Sequence, residues 1–189
     1  MNNQLDATQR REYLSKQLNN LIRDLPPKYQ ERYQQHGFRN QLISSLLDGT
    51  VFSIVQGLQE IQSLAEKNLS NERNRLVKIT KEQENDLIRK HREDEQRCAD
   101  RPQHLNLLQA ANKRELEAFL KRTNEEQQRF DMKVILELDQ KVLEQQTTLE
   151  KAGVPFMYAT NKPNDVRLQM FTLEFIQKLS QSLPPSFNL

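Results

Sequence analysis

The sequence predicts an all-α protein: a long antiparallel helical hairpin of coiled-coil type, with shorter helices packed at its base. Three observations predict it. Between Gly57 and Gly153 there is no glycine and a single proline, Pro102. Turn-forming residues are what stop helices, so this stretch reads as two very long helices with one break. Hydrophobic residues are 35% of the 189 and charged residues 29%, too little apolar material for one compact sphere but suited to narrow buried stripes. Apolar residues also recur at steps of three and four along most of the chain, which is the helical period.

Charge and composition exclude several classes of function. Net charge is only +2, from 28 basic and 26 acidic residues, so no large field draws in nucleic acid or anionic lipid. One cysteine, Cys98, rules out an internal disulfide framework and suits a reducing compartment. The N-terminus is polar, without the apolar core of a secretory signal. The most apolar window, Leu42 to Leu58, contains Asp48, two glycines and three serines. It is too short and too polar to cross a bilayer. The expectation is a soluble intracellular protein.

The elements follow in order. Leu14, Leu18, Leu21, Ile22 and Leu25 predict an amphipathic helix from about Asp6 to Asp24, ended by Pro26-Pro27. Lys28 to Tyr33 reads as a short helical turn, broken at Gly37. Phe38, Leu42, Ile43, Leu46 and Leu47 make another short helix that stops at Asp48-Gly49. Gly49 suits the C′ position and Thr50 the N-cap of the next helix.

The first long helix is expected from about Thr50 to Cys98 and the second from about Pro102 to Lys151. Each would extend roughly 70 Å at the α-helical rise, so an elongated molecule is expected. Val51, Ile54, Val55, Leu58, Ile61, Ala65 and Leu69 form one stripe of the first, with Phe52 and Leu64 flanking it. Leu58 and Ile61 sit mid-stripe and are expected to be buried. Beyond Leu69 the stripe thins to Leu76, Ile79 and Leu87, expected to face Leu116 and Leu120. The second helix carries Leu116, Leu120, Thr123, Gln127, Phe130, Val134, Leu138, Val142, Gln145 and Leu149, a heptad pattern with a stutter-like insertion. Near-equal lengths and a short connection favour the antiparallel hairpin.

Val154, Phe156, Met157 and Tyr158 make the loop from Gly153 to Pro163 unusually apolar, so it should pack on something. Asn164 or Asp165 is expected to cap a final helix with Leu168, Phe171, Phe175, Ile176 and Leu179 on one face. Val166, Met170 and Leu173 extend the apolar surface, so burial all round is expected. Leu183-Pro184-Pro185 ends that helix. The domain reading is N-terminal helices over 1–49, the hairpin over 50–152, and a loop plus C-terminal helix over 153–189.

Four blocks carry a family resemblance: LLDGTVFSIVQGLQEIQSLAEKNL (Leu46–Leu69), LQAANKRELEA (Leu108–Ala118), LELDQKVLEQQTTLEKAGV (Leu136–Val154) and LQMFTLEFIQKL (Leu168–Leu179). They resemble the DiGeorge critical region proteins and their insect relative, the gonadal protein gdl. The resemblance implies a coiled-coil, partly nuclear protein with a developmental role, neural-crest-related or gonadal. It implies no catalytic residues.

Sharper functions find little support in the residues. His91, Cys98 and His104 flank the hairpin tip, but metal ligands on a helix sit at i,i+3 or i,i+4; the expectation is solvated tip residues and no metal. Arg89, Lys90 and Arg92 are cancelled by Glu93, Asp94 and Glu95, unlike a DNA-binding basic helix. Glu60 with Glu66, or Asp139 with Glu144, could pair for acid–base work, yet catalysis needs a shaped pocket; salt bridges are their expected use. A laminin-like extracellular role would need secretion. The reading is a non-enzymatic interaction or adaptor protein of the nucleus or cytoplasm. It needs no cofactor, binds other proteins through helical surfaces, contacts no nucleic acid directly and inserts into no membrane. Phe52, Val55, Leu64, Val154, Phe156 and Tyr158 are the candidate contact residues. The alternative is a self-associating structural subunit, such as a homodimer.

Overall fold

The computed structural model describes residues 7–35 and 37–184. Among the described residues every regular element is a helix: α1 (Ala7–Arg23), α2 (Pro27–Gln34), α3 (Phe38–Leu46), α4 (Thr50–Arg97), α5 (Pro102–Lys151) and α6 (Pro163–Ser182). The protein is all-α, and its two long helices pack together. Asp6 and Pro185, named above as helix limits, lie outside the described residues.

Local chemistry sets the helix ends. Gly153, at φ 77°, follows α5 in the left-handed region that glycine tolerates. Its N–H bonds the Glu150 carbonyl at 3.0 Å, and the Val154 N–H bonds the Leu149 carbonyl at 3.0 Å. That pair of bonds is a Schellman stop, and its usual apolar contact is here too, since Leu149 and Val154 are both buried. At the start of α4 the cap falls one residue before the expected Thr50, at Gly49, whose carbonyl accepts the Phe52 and Ser53 N–H groups. Thr50 is already helical, and Asp48 Oδ1 accepts its N–H at 3.0 Å. Neither Asn164 nor Asp165 caps α6, because Pro163 opens it one residue earlier and Lys162 is the cap, without a side-chain bond. Proline at the first helical position gives up no needed N–H.

The chain forms two compact units, Met1–Ser63 with Gln140–Leu189, and Leu64–Asp139. In the first, α1 packs on α2, α3 and α6, and α2 on α3. Leu14, Leu18, Tyr33, Leu42, Leu46, Leu149, Ile176 and Leu179 are its most completely buried large side chains. Each such side chain brings about 1.5–3 kcal/mol of apolar burial. Leu58 is only partly buried, and Ile61 is 54% exposed, contrary to the mid-stripe expectation. The α4 stripe is narrower than the run of apolar letters suggested, and Ile61 falls outside it.

The second unit is the C-terminal part of α4, the turn after it and the N-terminal part of α5. Glu72 meets Lys133, Arg73 meets Asp131, His91 meets Glu115 and Glu95 meets Asn112. As the number climbs on α4 it falls on α5, so the helices run in opposite directions. Protected positions on α5 recur every eleven residues: Leu105, Leu116, Gln127 and Leu138; Leu108, Phe119 and Phe130; Asn112, Thr123 and Val134. On α4 the same period links Leu69, Thr80 and His91, and Ala65, Leu76 and Leu87. Eleven residues over three turns is 3.67 per turn, close to the straight helix. The expected heptad seam is therefore out of phase at two places: Phe119 and Lys141 are half-buried where Leu120 and Val142 were expected, and both of those are exposed. Ile79 is exposed as well, so it does not face Leu120 in a buried seam.

Candidate functional site

The first unit contains an aromatic cluster and, beside it, an open groove. Tyr33 sits fully buried at the centre of the cluster, with ring centroids 4.8 Å from Phe38, 5.2 Å from Phe175 and 5.6 Å from Phe156. Phe156 stacks on Phe38 at 4.8 Å. Its φ is 66°, a backbone state that costs a non-glycine residue energy and persists only where its surroundings enforce it. Gln169 supplies part of that enforcement. Its Nε2 donates to the carbonyls of Phe156 at 3.0 Å and Tyr158 at 2.9 Å. Gln146 Nε2 in turn donates to Gln169 Oε1 at 2.8 Å and to the Thr160 carbonyl at 2.9 Å, while its Oε1 accepts the Thr160 N–H. The two glutamines thus fasten the 153–160 loop to α5 and α6.

The loop is packed, as its apolar composition predicted, with Val154 and Met157 buried. The six candidate contact residues are spread over different environments. Val55 and Val154 are buried in the core, and Phe52 and Phe156 are packed against it. Tyr158 is exposed, its phenol pKa raised by partial burial and by the Asp165 carboxylate. Leu64 is exposed in the other unit. Phe52 and Val55 share a surface feature, a hollow of about 200 Å³ against Ile176.

The larger feature is a groove of about 590 Å³ between α6 and the α4 and α5 segments of the same unit. Val142, Met157, Val166, Met170 and Leu173 give it apolar walls, and Gln59, Gln62, Gln145 and Gln177 give it an amide rim. Sequence reasoning missed it by treating Val166, Met170 and Leu173 as core. They form a second apolar stripe on α6, turned away from Leu168, Phe175 and Leu179, and Met170 is left exposed. The signal was the 166, 170, 173, 177 spacing, offset from the buried face. Charge in the groove is limited to Arg167 and Glu174, and Glu174 is already 2.6 Å from Lys178. Such a lining offers apolar contact and amide hydrogen bonds, the chemistry of holding a peptide or helix.

His91 departs from the tip reading. It is 8% exposed and its Nε2 lies 2.9 Å from Glu115 Oε2. One turn on, Glu95 accepts from Asn112 at 2.9 Å. Among the described residues no group of three or more His, Cys, Asp or Glu is arranged to hold a metal ion, and no helix is long and apolar enough to cross a membrane.

No solved structure matches the chain. Protein DGCR6 of Gallus gallus is 47% identical over 179 residues, covering 94% of this chain and 88% of that protein. Gonadal protein gdl of Drosophila melanogaster is 34% identical over 169 residues, covering 89% and 79%. The model of the family described as DiGeorge syndrome critical region 6 (DGCR6) protein matches residues 2–184, in keeping with the four resembling blocks. With nearly the whole chain inside that match, the protein belongs to the DiGeorge syndrome critical region 6 family.

Proposed function

We propose that this chain is a non-enzymatic interaction protein: an antiparallel coiled-coil hairpin carrying a helical head whose groove docks a helix of another protein. The eleven-residue spacing of protected positions on both long helices supports the coiled-coil part, as do the pairs Arg73 with Asp131 and His91 with Glu115, which fall on α5 as they climb on α4. The observation that carries the docking part is the uncovered apolar wall of Val142, Val166, Met170 and Leu173 beneath an amide rim. An amphipathic helix of three to four turns fits such a surface, its apolar stripe on the wall and its polar flanks on the glutamines. The proposed setting is nuclear or cytoplasmic, with a developmental role; the name of the Drosophila melanogaster relative, gonadal protein gdl, supports the gonadal part of that reading.

Phe156 is a poor probe of this reading, since it is packed among Phe38 and Tyr33 and its loss would disturb folding. Met170 is the better one. A photo-crosslinking amino acid at Met170 should form adducts with a defined helical segment of a partner in cells. The same probe at exposed Lys178 should not. Val142→Asp should remove the Met170 adducts while leaving the melting curve of the purified protein in place. Equal labelling at both positions, or adducts that survive Val142→Asp, would reject the groove as the docking surface.

A further inference from the structure

In the second unit, α5 exposes Met132 at 57%, Ile135 at 53% and Leu136 at 62%. Positions three and four apart share a helix face, so these three form one patch. It points away from the seam, where Phe130, Val134 and Leu138 are protected. The patch has a charge at each end. Arg129 stands three residues before Met132 and Asp139 three residues after Leu136. The Arg129 guanidinium bonds only the Glu125 carbonyl of its own helix, at 3.3 Å. The Asp139 carboxylate has no hydrogen-bond or ion-pair partner among the described residues. Asp131, by contrast, is taken up by Arg73, and Glu137 by Lys133.

We infer that this patch pairs two copies of the chain, α5 against α5 and antiparallel. The order of charges selects the partner and its direction. Met132 opposite Leu136 of the second copy, and Arg129 opposite its Asp139, are both centred on the level of residue 134. One two-fold axis therefore satisfies the apolar contact and two reciprocal ion pairs at once, as an isologous interface requires. Parallel pairing would set Arg129 beside Arg129 and Asp139 beside Asp139, which is repulsive. The patch lies well below the size of a standard interface, which places the dimer in the transient class. It dissociates in a range on the order of 10–100 μM and weakens with salt, because the ion pairs lie at its rim. This inference uses no residue of the groove, so either reading can fail without the other.

Sedimentation velocity of the full chain from about 5 to 500 μM, at low salt, tests it. A concentration-dependent shift from monomer to dimer is expected. Leu136→Asp should leave a monomer throughout. Arg129→Glu and Asp139→Arg should each weaken association about tenfold, and the double reversal should restore it, since every rim pair again joins opposite charges. Unchanged helical melting in each variant separates lost pairing from lost folding; a variant that melts early is replaced by Met132→Lys for the apolar arm. A chain that is monomeric at every concentration overturns the inference. So does a dimer that survives Leu136→Asp, or a double reversal that associates no better than the single variants.

Discussion

His91 Nε2 lies 2.9 Å from Glu115 Oε2, joining α4 to α5 through a histidine that is almost fully enclosed. The hydrogen bond from His91 is the main reason the Glu115 carboxyl is held below its ordinary range. A carboxyl with a depressed folded pKa contributes stability above its unfolded pKa, and that contribution is lost as pH falls through the folded value. Asp131 has the same sign, depressed by its hydrogen bond with Arg73. Acidification below about pH 4 should therefore destabilise the pairing of the two long helices. Glu115→Gln should flatten the dependence, as read by circular-dichroism melts between about pH 3 and 7. An unchanged slope would remove Glu115 from the account.

The eleven-residue seam makes a direct contrast with a heptad seam. Phe119 is half-buried, while Leu120 is 44% exposed. Phe119→Ala should cost about 1–3 kcal/mol, below the range for full core truncations because burial is partial. Leu120→Ala should stay within about 0.5 kcal/mol. Chemical denaturation of the two variants decides it: a larger loss at Leu120 would restore the heptad phase.

Much of the architecture was legible before the structure. Glycine and proline punctuation placed both long helices to within a residue, because a missing N–H or a left-handed backbone ends a helix wherever tertiary contacts lead. The seam phase was harder to read. Thr123 and Gln127 were on the expected stripe and are protected, but Leu120 and Val142 are greasier letters than Asn112 and Lys141, and a helix period near 3.67 turns those polar residues inward and leaves the leucine outside. Hydrophobicity alone cannot register that rotation. The same blindness hid His91, whose burial depends on a carboxylate 24 positions away. It also hid the groove, since Met170 and Leu168 are alike in hydrophobicity, and the offset spacing of 166, 170 and 173 gains its meaning only once α1 packs on the other face of α6.

Tyr33 offers a test of the core. Its hydroxyl donates to the Leu168 carbonyl at 2.5 Å and lies 3.2 Å from Thr172 Oγ1. Burial pushes the phenol up to about 12. The neutral form is the one the fold favours, so its contribution is complete below the unfolded value near 10 and is lost as pH rises through about 12. Ultraviolet titration should find one phenol that ionises only in strong alkali, absent in Tyr33→Phe. That substitution should cost only about 1 kcal/mol, because Thr172 still donates to the Leu168 carbonyl at 3.0 Å. A phenol ionising at its ordinary pH would mean that the ring is wetter than its packing indicates.

Gln169 is the residue on which the 153–160 loop most depends. Its amide nitrogen serves two loop carbonyls and its oxygen serves Gln146, all within the packed interior of the first unit. Gln169→Leu keeps the volume but removes every one of those bonds. The Phe156 and Tyr158 carbonyls then lose their donor, and Gln146 keeps only Thr160. Leaving such groups without partners should cost about 2–3 kcal/mol. The loss should also be local before it is global, because the left-handed Phe156 is no longer fully held in place. Amide exchange at Met157, whose N–H reaches the Val154 carbonyl at 3.4 Å, should speed up in the variant, while α1 and α3 amides keep their protection. Gln181→Leu, on the exposed end of α6, is the control and should stay within about 0.5 kcal/mol. If Gln169→Leu is as stable as the control and Met157 exchanges no faster, the loop is held by aromatic stacking alone.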